Sequence, residues 1–114
     1  MAVLTPQVIV KTGLTASLAA AAGGGDSWQN TGREFLRVAN GGGGSINVTL
    51  AAQGGACQPY GVTNVAHDIV VAVGAGVTKD IGPIDPRGYN DSNGRAQITY
   101  SGVTAVTVGV FAAP

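Results

Sequence analysis

Charge is scarce in this 114-residue chain. Asp, Glu, Lys and Arg make up 11% of it, against about 25% in ordinary soluble domains. Six Lys and Arg offset six Asp and Glu, so the formal net charge is zero. A surface with no excess of either sign has no field to gather phosphates or anionic lipid. It also repels copies and neighbours weakly, so contact with another protein surface is unopposed. Cysteine is scarce too. Cys57 stands alone, which rules out an intramolecular disulfide, and one Cys with one His, His67, falls short of a zinc-ligand set. The aromatic residues are Trp28, Phe35, Tyr60, Tyr89, Tyr100 and Phe111, so a core has to come from Val, Ile, Leu and Ala. Residues 14–22 are apolar and Ala-rich but short, and Thr15 and Ser17 interrupt them. They are too short to cross a bilayer, and no basic segment precedes them. The expectation is synthesis in the cytoplasm without Sec-type export.

Glycine is abundant, with nineteen copies. They cluster at 23–25, 41–44, 54–55 and 74–76, and such clusters mark loops because glycine accepts sharp reversals. Between the clusters lie short runs of β-branched residues at intervals of about ten residues, the rhythm of a compact β domain. Residues 7–11 read as a first strand. Residues 14–21 are ambiguous between strand and short helix; without a cap or charge pattern they are expected to be extended. Trp28 falls in a short polar stretch, 27–31. Residues 34–38 alternate, with Phe35 assigned to one face and Arg33 and Arg37 to the other. Residues 45–50 alternate cleanly, with Ile46, Val48 and Leu50 inward. These two runs, joined by Asn40 and four glycines, are expected to form a hairpin. Residues 68–73 and 77–81 are expected to form a second. Residues 51–67 form a long irregular connection and 82–94 a loop rich in Pro and turn residues. Residues 96–100 and 104–111 close the domain, with Val106, Val108 and Val110 on one face. The sum is a single all-β domain of about eight strands, an antiparallel sandwich of Greek-key or jelly-roll type. An N-terminal segment, 1–27, expected to be a docking arm plus the first strand, precedes the body, 28–114.

Catalytic chemistry is thin. There is no Gly-x-Ser-x-Gly elbow, and His67 sits at a strand end beside Asp68. Asp80 and Asp85 flank the Gly82-Pro83 turn, and turn chemistry explains both. The glycine runs are followed by neither Lys-Ser nor Lys-Thr, so they do not make a phosphate cradle. Asn90-Asp91-Ser92-Asn93-Gly94 resembles the start of a calcium loop, but no bidentate Glu follows, and it reads as a turn. Asn47-Val48-Thr49 and Asn90-Asp91-Ser92 fit the glycosylation pattern, which has no use without export. Arg33 and Arg37 have Glu34 beside them, and Phe35 between them is assigned to the other face, against a nucleic-acid surface. No catalytic residue, metal ligand or cofactor site is expected, and no enzyme activity.

Two stretches carry a family likeness: Trp28-Gln29-Asn30-Thr31-Gly32-Arg33-Glu34-Phe35-Leu36-Arg37-Val38-Ala39-Asn40, and residues 81–91 with 94–108. Over about residues 28–110 the chain resembles small virion proteins of tailed bacteriophages, of the capsid decoration (cement) or head-associated type. The resemblance implies a β-sandwich or jelly roll that docks on the outside of a capsid made of major capsid protein, often as a homotrimer, in a virion assembled in the host cytoplasm. Neck or tail placement is the alternative within that class; a carbohydrate-binding sandwich using Trp28, Tyr60 and Tyr89 is the alternative outside it. The residues expected to make protein contacts are Gln58, Pro59 and Tyr60 in the long connection and Pro83, Pro86, Arg87 and Tyr89 in the proline loop.

Overall fold

A computed structural model describes residues 2–52 and 68–113 of the chain. Among the described residues, ten strands are arranged in two sheets. In chain order they are β1 (Ala2–Leu4), β2 (Gln7–Val8), β3 (Ala19–Ala20), β4 (Asp26–Gln29), β5 (Glu34–Asn40), β6 (Ile46–Leu50), β7 (Ile69–Val73), β8 (Thr78–Ile81), β9 (Arg95–Tyr100) and β10 (Val106–Ala112). One helical turn, α1 (Pro86–Tyr89), interrupts them between β8 and β9. The first sheet runs β1-β4-β9-β6-β7 and the second β2-β10-β5-β8, with β3 also paired to β10.

Alternation decides which side chains meet between the sheets. From the first sheet Trp28, Val48, Leu50, Ala96 and Ile98 point inward; from the second come Leu36, Val38, Val106, Val108 and Val110. Each is essentially inaccessible to solvent. At about 25 cal/mol per Å² of apolar surface removed from water, this interleaved aliphatic layer is the main stabilising term. Trp28, the largest member, fills the space that small Val and Ala side chains would otherwise leave empty. The polar stretch that holds it is largely strand β4, which the surrounding Asp, Ser and Gln disguise in the sequence.

The strands are close to where alternation placed them, but their partners are not. The expected hairpin of 34–38 with 45–50 does not form: β5 pairs with β10 and β8, and β6 pairs with β7 and β9 in the opposite sheet. The second expected hairpin fails in the same way, since β7 belongs to the first sheet and β8 to the second. Among the described strands, only β6 and β7 are both consecutive and hydrogen-bonded to each other. The glycine-rich links at 23–25, 41–44 and 74–76 are therefore crossovers between sheets. Asn40 shapes the 41–44 link: its Nδ2 donates to Gly44 O and Val73 O, and its Oδ1 accepts from Gly42 N. A Cβ on Gly42 would lie 2.9 Å from Thr104 O, so glycine is required where this link crosses the end of the sandwich.

The sheets are mixed, not purely antiparallel. β1 runs parallel to β4, and β2 parallel to β10. These pairings, with β3 antiparallel to β10, tie residues 2–20 onto both sheets and raise the strand total above eight. The expected strand at 7–11 shrinks to Gln7–Val8, and 14–21 is not helical. β10 has β5 along one side and β2 and β3 along the other, which is why Phe111 and Ala112 are buried as well as the valines. The face assignment in β5 is also corrected. Period two puts Phe35 and Arg37 on the same, outer face, with Glu34, Leu36, Val38 and Asn40 inward.

Candidate interaction surface

The expected contact residues Pro83, Pro86, Arg87 and Tyr89 share the loop 82–94. Gln58, Pro59 and Tyr60 lie outside the described residues, as do Cys57 and His67. The loop starts at Gly82, where a φ of +127° and a Cβ position 3.2 Å from Glu34 O admit only glycine, and the Gly82–Pro83 peptide is cis. Pro83 is exposed, Ile84 turns into the core, and Tyr89 packs partly against it. Pro86 and Tyr89 are half-buried, and Arg87 lies in α1.

A polar brace holds this loop. Asn30 is buried, and its Nδ2 donates to Ile84 O at 3.1 Å and to Asn90 Oδ1 at 2.8 Å. Its Oδ1 accepts from Gly32 N. Asn90 Nδ2 in return donates to Asn30 O and Gly94 O. Gly32, with φ at +90°, lies against the Pro86 ring; a Cβ there would sit 3.1 Å from Pro86 Cδ. The last turn is closed by Asp91, whose Oδ1 accepts from Asn93 N and Arg95 N and whose Oδ2 accepts from Gln97 Nε2. The Arg95 amide and then Gln97 hold its carboxyl below the usual aspartate range. Buried polar groups satisfied in this way hold the loop in one conformation.

The brace runs into a second surface, of which the sequence singled out only the N-terminal segment, as a docking arm. Thr31 N and Oγ1 donate to the two carboxylate oxygens of Glu34, both at 2.7 Å. Burial pushes Glu34 up, but these donors outweigh it, and its carboxyl sits below the usual 4.5. Thr31, Arg33 and Glu34 line a hollow of about 230 Å³ with Val8 and Ala112. The next residue, Ile9, lines another of about 190 Å³ with Leu14, Phe35, Arg37 and Phe111. In that hollow the Arg37 guanidinium lies 5.0 Å from the Phe111 ring centre and 5.9 Å from that of Phe35. It pairs with Asp80, Nε to Oδ1 at 2.8 Å, which raises its pKa and keeps it charged. Val8, Ile9 and Val10 are 48%, 41% and 46% exposed. The detectable signal was the run Gln7-Val8-Ile9-Val10: consecutive apolar residues in a strand cannot all face inward.

These hollows are smaller than the roughly 300–1,000 Å³ of a small-molecule pocket. Their size suits one or two side chains of a macromolecular partner. Elsewhere the polar chemistry is structural. Asp26 is fully buried in β4, and its Oδ2 accepts from Tyr100 OH at 2.7 Å and from Ala22 N at 3.2 Å. Burial, with Asp26 next to it, pushes the Tyr100 phenol far above its usual range. Among the described residues no three His, Cys, Asp or Glu side chains gather to hold a metal ion. No protein-family profile, curated protein or solved structure matches this chain.

Proposed function

We propose that this protein is a structural component of a tailed-phage virion that binds the outside of the capsid and reinforces it, with the major capsid protein as its partner and a homotrimer as its working form. The observation that carries the reading is the continuous surface from Pro83 and Pro86, through Gly32, Thr31 and Glu34, to Val8, Ile9 and the Phe35–Arg37–Phe111 hollow. It combines an ordered proline loop with exposed aliphatic side chains on a body of zero net charge. Such a surface suits docking by shape and apolar burial, with Arg37 as the kind of anchor that interfaces favour. The likeness of residues 28–110 to decoration proteins supplies the capsid as partner. A shell repeats its docking site many times, so modest affinity per copy is enough when neighbouring copies also touch.

Trp28 is 0% exposed. That removes the largest member of the aromatic platform a carbohydrate-binding module needs and weighs for the protein partner.

The test is co-sedimentation with empty heads assembled from the cognate major capsid protein. The native protein should saturate the heads and raise the temperature at which they come apart, and Ile9→Asp should weaken binding at least about tenfold, the cost of burying an unpaired charge in an apolar contact. Heads that take up none of the native protein would overturn the proposal. Equal binding by Ile9→Asp would move the docking face elsewhere.

A further inference from the structure

An asparagine followed by glycine is the pair in which the next backbone nitrogen most easily reaches the side-chain carbonyl carbon, because glycine puts no Cβ in its path. The chain contains two such pairs, Asn40-Gly41 and Asn93-Gly94, and the fold treats them oppositely. Asn40 is 2% exposed. Its Nδ2 is held by Gly44 O and Val73 O, its Oδ1 by Gly42 N, and the Gly41 nitrogen that would attack donates to Ala105 O at 2.9 Å. Asn93 is exposed at the tip of the turn before β9. Among the described residues it is held through its backbone alone, by Asp91 Oδ1 on its N–H and by Gln29 Nε2 on its carbonyl. Only the bond from Gly94 N to Asp91 O, 3.0 Å, has to open before attack.

We propose that Asn93 is a site of spontaneous deamidation, and that the fold shields Asn40 from the same reaction. The Gly94 nitrogen bonds to Asn93 Cγ and gives up its proton. The Cγ–Nδ2 bond breaks, and ammonia leaves carrying that proton. Water then opens the cyclic imide at one carbonyl or the other, leaving aspartate or its isomer with the backbone routed through the side chain. No oxidant or cofactor is required.

The position makes the reaction consequential. Gly94 O accepts from both Asn30 N and Asn90 Nδ2, and Gln29 grips Asn93 O. An extra backbone carbon in the isomer, and a new carboxylate near Asp91, displace the point where the proline loop is tied down. The inference does not depend on the capsid reading.

The test is to incubate the full chain in mildly alkaline buffer, digest it with trypsin and follow the amide-to-acid mass gain by mass spectrometry. Cleavage after Arg87 and Arg95 isolates Asn93 from Asn40. In the folded protein Asn93 should react at least about tenfold faster than Asn40, since opening the Asn40 site breaks several buried hydrogen bonds at once. In denaturant the two rates should converge. Similar native rates, no reaction at Asn93, or a gap that persists in denaturant would each overturn the proposal. The deamidated form, separated by anion exchange, should melt below the unmodified protein; an unchanged melting temperature would refute the loosening of the loop.

Discussion

Asn30→Ala isolates the brace of the proline loop. Three hydrogen bonds vanish: Nδ2 to Ile84 O, Nδ2 to Asn90 Oδ1, and Gly32 N to Oδ1. The backbone ties, Asn30 N to Gly94 O and Asn90 Nδ2 to Asn30 O, remain, so the strand itself is not cut. A net value of about 0.5–1.5 kcal/mol per bond, plus the cost of leaving Ile84 O unpaired, gives a loss of about 2–4 kcal/mol. In a domain of this size that lowers the melting temperature by roughly 8–16 °C. Urea titration should show the midpoint falling with an unchanged slope, because the surface exposed on unfolding is the same. Asn30→Asp is the sharper variant. It keeps the size and the acceptor for Gly32 N but turns an oxygen toward Ile84 O and Asn90 Oδ1, so acceptor faces acceptor around a buried charge. It should be less stable than the alanine variant at neutral pH and should recover part of the gap in acid, where the carboxyl becomes a donor. A loss below about 0.5 kcal/mol for Asn30→Ala, or an aspartate variant as stable as the native chain, would refute the brace as the element that orders the loop.

Tyr100→Phe leaves the buried Asp26 carboxylate with the Ala22 amide as its remaining donor and should cost about 1–3 kcal/mol in urea titration. Because the Tyr100 phenol is raised above its usual 10.0, the stability it contributes is complete below about pH 10 and is lost in stronger alkali, and its tyrosinate absorbance should appear only as the protein unfolds. Glu34 has the opposite sign: its carboxyl is depressed, so its contribution is present above pH 4.5 and lost as pH falls below it. Glu34→Gln should flatten the fall of melting temperature below that pH; an acid limb of unchanged steepness would assign the loss to other carboxylates. Gly109→Ala puts a Cβ 2.8 Å from Leu18 Cδ2 and 2.9 Å from Ser17 O, so the N-terminal segment must lift from β10. Trypsin should then cut faster at Lys11, which is the only Lys or Arg before Arg33, while the body stays folded. An unchanged cleavage rate would mean that the segment is not seated by that contact.

Legibility differed from element to element. The inward faces of β6 and β10 were readable because alternation over five or more residues has one amphipathic solution. β4 was missed because Asp26, Ser27 and Gln29 are polar, although Asp26 and Ser27 are buried. The arginine–aromatic hollow was hidden by reading Phe35 and Arg37 onto opposite faces, and Phe111, its third member, lies 74 positions away from Arg37. The proline loop was legible as a loop, but not its brace, because Asn30 reaches across 54 and 60 positions to Ile84 and Asn90.

By itself the amino-acid order determined that this chain is all-β, poor in charge and built on an aliphatic interior, since composition and period-two patterning are local properties of each segment. Only the tertiary structure decided which strands pair, that the glycine links at 23–25, 41–44 and 74–76 cross from sheet to sheet, and that the N-terminal segment lies alongside β4 and β10. A pleated strand presents the same hydrogen-bonding edge to any neighbour, so its own sequence says which face is apolar and leaves the choice of neighbour to the packing of the whole domain.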